Sequence, residues 1–492
     1  MKSRILCLAL ALTMLLTFSS FALAEDEPYE ADILCITFTG EPIADDAPTK
    51  LAFEELTNSL INFTWVADSN YEEKLNVMMA SQSLPTIVVL KGLTSSVIEN
   101  ARYGAFWDLT DYIDDYEYLS QINPVIINNV SIDGRLYGIP RTRVLGRMGI
   151  TYRKDWLANL GMEEPTTVDE LYDVLYAFTY NDPDGNGEND TYGMTWCKYD
   201  GPLDIITTWF NGGNQWVEQE DGSVIPYFET DGYWEAMQWA KKLYDDGLVN
   251  EDFAVRDSAI WTDDFKASRS GVFVDCADAA QRMDSSLVEQ GIEDAVWVIG
   301  TVAGPDGNLY NLPTAGHAGI VAITKAGAKT EEDLRAALEF LDSTNTTEAM
   351  NMFTYGLPGR DFTIDDEGYV VRTEGATDTI NQENEGFNQF MTNVANTATQ
   401  EKRSTIREQV YQVQYVINPD LCVANPCQSL LSSSTVYSEK GSTLETIVDD
   451  ARVQYIVGQL DEEGYKAEIQ RWYDQGGADL VAELSEMNQA TK

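Results

Sequence analysis

The chain predicts an α/β fold. Two observations carry this: apolar runs rich in β-branched residues alternate with amphipathic helical segments, and the alternation recurs in both halves of the sequence. Residues 31–38 (ADILCITF) read as the first strand, 51–60 as a helix and 61–66 (INFTWV) as the second strand. Residues 71–80 (YEEKLNVMMA) place Leu75, Met78 and Met79 on one helical face; Pro85 ends that helix, and 86–90 (TIVVL) form a short buried strand. Three such units in succession predict parallel strands joined by right-handed crossovers. Further on, Val168, Leu171, Leu175 and Phe178 share one face of a helix over 168–178. Residues 192–196 start another strand, and 233–244 form a helix stopped at Gly247. Residues 271–274 (GVFV), 296–299 (VWVI) and 319–323 (GIVAI) are strand-like. Thr330 and Asp333 have capping-box spacing, ahead of a buried stripe of Leu334, Leu338 and Leu341.

The first residues read as a secretory leader. Lys2 and Arg4 precede an apolar run from Ile5 to Phe18, and Ala22-Leu23-Ala24 is a small-x-small cleavage site before Glu25. No Cys stands just after small residues at the end of that run, so a lipid anchor is not expected. No later run is long enough to span a bilayer. The chain is strongly acidic, with 81 Asp and Glu against 32 Lys and Arg. Such a surface repels nucleic acid and anionic lipid, and it disfavours a polyanionic ligand unless a local basic cluster lines the site. Five cysteines follow the leader: Cys35, Cys197, Cys276, Cys422 and Cys427. The last two are spaced for a small disulfide loop, and buried free thiols suit them equally. No Cys/His zinc pattern is present, and any Ser-His or Cys-His unit would depend on the one histidine, His317.

One loop stands out. DPDGNGEND, residues 182–190, puts Asp182, Asp184, Asn186 and Asp190 at positions 1, 3, 5 and 9, with Gly187 at position 6. Calcium takes hard oxygen ligands, and this alternation round a Gly supplies most of a shell, Glu188 adding its carbonyl at position 7. Position 12, where an EF-hand has a bidentate Glu, is Gly193, so a further ligand would come from elsewhere. The same residues also suit a solvated acidic turn.

Several phrases, in order, resemble the extracellular solute-binding proteins of ABC importers, family 1, carbohydrate type. They are the 71–85 segment ending in Leu84-Pro85, DGRLYGIP at 133–140, and YRKDWL at 152–157 with Leu160-Gly161 and Pro165. The acidic loop, LYDDGLV at 243–249, YGLPG at 355–359, and Gly458 and Gly476-Gly477 near the C-terminus complete the set. Thr86 departs from the family's usual Asp. The segment Asp275-Cys276-Ala277-Asp278 lacks the Trp many relatives place there, which removes one expected sugar platform. The resemblance implies a two-lobed, periplasmic-binding-protein-like type II fold with a ligand cleft between lobes. It assigns residues 25–147 plus 318–365 to one lobe and 148–317 plus 366–492 to the other. Members with such a loop include alginate-oligosaccharide binders, in which a similar loop holds calcium; by position the ligands would be Asp182, Asp184, Asn186, Glu188 and Asp190. The acidic surface argues against alginate itself.

Ligands of open α/β sheets sit at the carboxyl ends of strands. Candidates chosen on that ground are Glu41 after the first strand, Lys91 after the third, and Lys198, Tyr199 and Asp200 after the strand near Trp196. Trp209 joins them because the following Gly212-Gly213 permits close approach. Arg141, Arg143 and Arg147 form a basic cluster near the lobe changeover, suited to ligand recognition or to salt bridges with nearby acids. His317, just before a strand, reads as structural. The expected function is capture of an oligosaccharide by a monomeric secreted protein and its delivery to permease subunits. The alternative is a secreted carbohydrate-active enzyme using an Asp/Glu pair; with so many acids, such pairs arise by chance.

Overall fold

In the computed structural model of the protein, residues 27–38 and 42–491 are described. The expected leader and Glu41 lie outside them. In chain order the strands are β1 Tyr29–Thr37, β2 Ser59–Ala67, β3 Ile87–Leu90, β4 Ile139–Thr142, β5 Met148–Arg153, β6 Tyr192–Met194, β7 Trp216–Glu218, β8 Val224–Pro226, β9 Ser270–Cys276, β10 Val296–Ile299, β11 His317–Ile323, β12 Phe362–Ile364 and β13 Val370–Arg372. Two sheets organise them: β2-β1-β3-β11-β4 and β10-β5-β9-β6. In the first, β1 is parallel to β2 and β3, while β11 runs antiparallel between β3 and β4. In the second, β6 is parallel to β9, and β5 is antiparallel to β9 and β10. Strands β7 and β8, and β12 and β13, are separate two-stranded ribbons.

The local reasons are those of the sequence. All four residues of β3 (IVVL) are buried, as a strand covered on both faces requires. The helix Asp68–Ala80 buries Tyr71, Leu75 and Met79. The Tyr71 hydroxyl lies 2.6 Å from the Val89 carbonyl oxygen and 3.2 Å from that of Leu34, tying the helix to β3 and β1. Thr330 and Asp333 form a reciprocal capping box on Glu331–Ser343. The helix expected over 51–60 is instead Pro48–Leu56. Asn58 turns the backbone left-handed at φ 45°, and Ser59 already pairs with β1.

The first sheet's core runs from Ala31 to Leu145 and resumes from Ile320 to Val394. Phe387 and Phe390 belong to it because both pack edge-on against Phe53, at 5.2 and 6.2 Å. This carries the first core beyond residue 365. A second core takes residues from Ile150 to Val302 and from Cys427 to Leu484, including the helices Thr435–Ile456 and Ala478–Ala490. A third, on Phe265, Phe273, Met283 and Val298, is joined by Ile406, Val410 and Val413.

The chain therefore passes between the two bodies three times: between β4 and β5, between β10 and β11, and between Val394 and Ile406. The first two crossings meet at Asn418, whose side-chain amide donates to the carbonyls of Gly146 at 2.9 Å and Met148 at 2.6 Å. A methyl at Gly300 would lie 2.0 Å from Asn418 Oδ1.

Candidate functional site

Strands β1 and β3 of one lobe, and β6 and β9 of the other, are parallel pairs, so each lobe presents adjacent carboxyl ends. Just past β3, Lys91 pairs with Asp68 at 2.6 Å, part-exposed. Just past β6, Lys198 is exposed and pairs with Asp257 at 3.2 Å. Tyr199 is half-exposed, its ring T-shaped to Trp261 at 6.0 Å. Arg147, on the first crossing, forks onto Asp278 at 2.8 and 3.0 Å, and Gln414 reaches the same carboxylate at 3.0 Å. Burial opposes the Asp278 charge; the Arg147, Arg282 and Gln414 contacts outweigh it and hold the carboxyl below its usual range.

Arg141 and Trp209 stand apart from this surface. Arg141 is 4% exposed, its Nη1 donating to the Ala318 carbonyl at 2.7 Å and its Nη2 to Gln389 at 2.6 Å. Burial, with Arg143 adding to it, lowers its pKa to about 10. Trp209 is fully buried, edge-on to Trp239 at 6.2 Å, so it presents no face to a ligand in this arrangement. The helix Gly201–Trp209 buries all but one of its residues, and Trp209 is its last turn. His317 opens β11, and its Nδ1 accepts the Gly319 N–H at 3.1 Å.

Asp200 leads to a built site. It lines a cavity of about 350 Å³ together with Asp204, Trp216, Tyr227, Phe228, Tyr437, Glu445, Asp449, Arg452 and Trp472. At its wall Arg452 is 1% exposed. Its guanidinium donates to Asp200 and Asp204, each at 2.6 Å, to the Tyr227 hydroxyl at 2.9 Å and to Asp449 at 3.3 Å. Burial raises the Asp449 carboxyl to about 7, against the pull of Arg452 and with Asp200 adding to the rise. An adjoining cavity of about 170 Å³ shares Asp204 and Gln215 and reaches Asn129 of the first lobe and residues 312–315 of the second crossing. The two cavities adjoin at Asp204 and Gln215, and the second reaches the place where the lobes meet. A further cavity of about 330 Å³ is lined by Tyr355, Arg403, Arg407, Gln414 and the stacked pair Tyr411–Tyr415, whose rings are 5.0 Å apart.

Such walls suit a polyhydroxylated ligand: aromatic faces meet C–H surfaces, and forked carboxylates and guanidinium groups meet hydroxyls. Of these residues only Asp200 was expected from sequence. Tyr227 is far in the chain from Asp449 and Arg452, which share the helix Thr435–Ile456, and an Arg flanked by Ala451 and Val453 was the one available signal.

The acidic loop follows the helix Val168–Tyr180, as expected. Asp182 turns left-handed at φ 50° and accepts the Asn186 and Gly187 backbone N–H groups, each at 3.0 Å. The Asn186 amide donates to Asp184 at 3.0 Å and Asp190 at 3.3 Å. Burial raises the Asp184 carboxyl, and Asp182 and Asp190 add to the rise. Among the described residues no group of three or more His, Cys, Asp or Glu is gathered so as to hold a metal. All five described cysteines are free, so Cys422 and Cys427 are not bridged.

The model of the bacterial extracellular solute-binding proteins matches residues 51–360. The chain belongs to this family. It is similar to "Lipoprotein LipO" of Bacillus subtilis, at 37% identity over 94% of this chain and 92% of the relative. It is also similar to the "Polygalacturonan/rhamnogalacturonan-binding protein YtcQ" of the same organism, at 32% identity over 94% of this chain and 91% of that one. Among solved structures, an extracellular solute-binding protein from Bifidobacterium longum subsp. infantis shares the fold with a TM-score of 0.66, at 17% identity, over 94% of this chain and 99% of that one. The Streptococcus pneumoniae substrate-binding protein FusA, solved as an EF-hand mutant in complex with fructo-nystose, does so with a TM-score of 0.53, at 18% identity, over 93% of this chain and 98% of that one. The fold is thus the two-lobed one of periplasmic solute-binding proteins.

Proposed function

We propose that the protein captures an oligosaccharide between its lobes and delivers it, as a secreted monomer freed by cleavage after Ala24, to the permease of an ABC importer. The observation that carries this reading is the cavity beside Asp200, which sets aromatic rings beside charged hydrogen-bonding groups and adjoins, through Asp204 and Gln215, a second cavity at the lobe boundary. Relatives named as a polygalacturonan/rhamnogalacturonan-binding protein and as a fructooligosaccharide ABC transporter substrate-binding protein support it. Lys91, Arg147, Lys198 and Tyr199 would complete the cleft when the lobes close on ligand. The lobe division proposed is the one expected from sequence, with the segment through Val394 assigned to the first lobe. The test is calorimetry against a panel of oligosaccharides, including pectic and fructose-based ones, with recovery of the ligand. Saturable binding with intact ligand supports the reading; new reducing ends would support the enzyme alternative.

We further propose that the acidic loop holds a structural calcium ion. The donor set fits: Asp182, Asp184, Asn186 and Asp190 offer hard oxygens, with the Glu188 carbonyl available. The crowding by Asp182 and Asp190 that adds to the burial-driven rise of Asp184 is what a divalent cation would relieve. The ion would brace the second lobe without touching the ligand.

A further inference from the structure

We infer that the cavity beside Asp200 is a subsite for an amine-bearing sugar, its ring against the aromatic wall and its ammonium group between Asp449 and Glu445. This rests on the carbohydrate-binding reading and names the ligand class within it.

Size comes first. At about 350 Å³ the cavity lies near the low end of small-molecule sites, roughly 300–1,000 Å³, so it accepts a ring-sized group rather than a long chain. Trp216, Tyr227, Phe228, Tyr437 and Trp472 give it broad apolar walls.

Charge decides the class. Four carboxylates line the cavity, Asp200, Asp204, Glu445 and Asp449, and the lining cation is Arg452. The short contacts of Arg452 go to Asp200 and Asp204, at 2.6 Å each; Asp449 is more distant at 3.3 Å. Glu445 accepts from the Tyr437 hydroxyl at 2.5 Å. Asp449 and Glu445 stand one turn apart on the helix Thr435–Ile456, on a face that lines the cavity. Carboxylates in excess of cations in a partly desolvated wall are costly, and a ligand cation relieves that cost where a hydroxyl does not. A uronate carboxylate would meet charge of its own sign. Asp449 is half exposed and opens on the cavity, and an ammonium group set between it and Glu445 supplies the cation the wall lacks.

The groups facing Asp449 are Asp200 and Asp204 from the start of the helix Gly201–Trp209, and Arg452 and Glu445 from its own helix, with the Tyr227 hydroxyl on Arg452. Their balance leaves Asp449 part-protonated near neutrality, so a bound ammonium should expel that proton.

The test uses the mature protein and trimers of β-1,4-linked glucose differing at one position: cellotriose with a hydroxyl, chitotriose with an N-acetyl group and its deacetylated form with an ammonium. Trigalacturonate is the anionic comparison. Calorimetry at about pH 6, below the about 7 of Asp449, is run in two buffers of different ionisation enthalpy. The expected result is binding of the ammonium trimer about tenfold or more tighter than the other three, with release of a proton. In Asp449→Asn combined with Glu445→Gln, that preference should fall to about twofold or less. The proton release, read on the wild type, stands even if the double variant folds poorly. Equal affinities, or preference for the hydroxyl, N-acetyl or anionic trimer, would overturn the amine assignment while leaving carbohydrate capture intact. No binding by any trimer would overturn it too, and the wider panel would then judge carbohydrate capture by itself.

Discussion

Replacing Arg452 with Met should cost the fold about 3–5 kcal/mol near neutral pH, the usual penalty for removing one partner of a buried ion pair. Met fills most of the aliphatic stem, so the loss is electrostatic rather than a cavity. What remains is Asp200, Asp204 and Asp449 around a wall without a cation, and a Tyr227 hydroxyl without its neighbour at 2.9 Å. The pH dependence follows from the direction of the shifts. Burial raises the Asp204 and Asp449 carboxyls above their ordinary values, and Arg452 is the main influence holding them down. Without it they rise further. An acid whose folded value lies above its unfolded one contributes stability that is complete below the unfolded value and lost as pH rises through the folded one. The deficit of the variant should therefore be small near pH 4 and grow through about pH 7. Urea unfolding followed by tryptophan fluorescence, at about pH 5 and about pH 8, measures it. A deficit under about 1 kcal/mol at the higher pH, or one equally large at the lower, would refute the reasoning, since a surface pair behaves that way. Adding Asp204→Asn to the variant should return part of the loss, because the two sites share one network.

Chelator should lower the melting temperature, with calcium restoring it better than magnesium, and Asp184→Ala with Asp190→Ala should abolish the response. An unchanged melt and no metal by elemental analysis would leave the loop an acidic turn. Arg141→Ala should destabilise by about 1.5–3 kcal/mol for each hydrogen bond lost from its buried guanidinium. Arg147→Ala, at a half-exposed pair worth roughly 0–1 kcal/mol, should leave the melt almost unchanged and weaken ligand binding; equal loss of stability in both would contradict this. Gly300→Ala should blunt the ligand-induced contraction measured by small-angle scattering, because its methyl would stand 2.0 Å from Asn418 Oδ1 where the first two crossings meet. A contraction as large as that of the wild type would show that the lobes turn elsewhere.

The elements legible in the sequence are those whose pattern is local. β3 announces itself as IVVL after Leu84-Pro85, and the helix Glu331–Ser343 by its capping box. β4 and β5 did not, because their partners lie far along the chain: β4 is held by β11, and β5 lies between β10 and β9. The helix ending at Leu56 was overextended because nothing in the residues 57–60 forbids helix except the left-handed turn at Asn58, which pairing with β1 selects. Phe387 and Phe390 joined the first lobe for a similar reason: Phe53 fixes their place, and it is more than 300 residues away.

The site shows the same division more sharply. Choosing residues by their position after a strand picked Asp200, which lines the cavity, because topology alone puts a strand end on one side of its sheet. It also picked Trp209, because residue type and neighbouring glycines say nothing about which way a helix turns its last side chain. The helix Gly201–Trp209 starts at the site and runs inward, so Asp200 and Asp204 face the cavity while Trp209 reaches the core. The groups that give the cavity its chemistry, Tyr227, Asp449 and Arg452, are assembled by packing of the Thr435–Ile456 helix against that start. An overall charge of −49 says only that acids are plentiful. The informative quantity is local: at the Tyr411–Tyr415 cavity Arg403 and Arg407 join the wall, whereas at Asp200 three carboxylates share one guanidinium and a fourth, Glu445, lines the same wall. Ligand class follows from such local imbalances, and the whole-chain charge, which disfavours a polyanion unless a basic cluster lines the site, applies only where the wall itself is acidic.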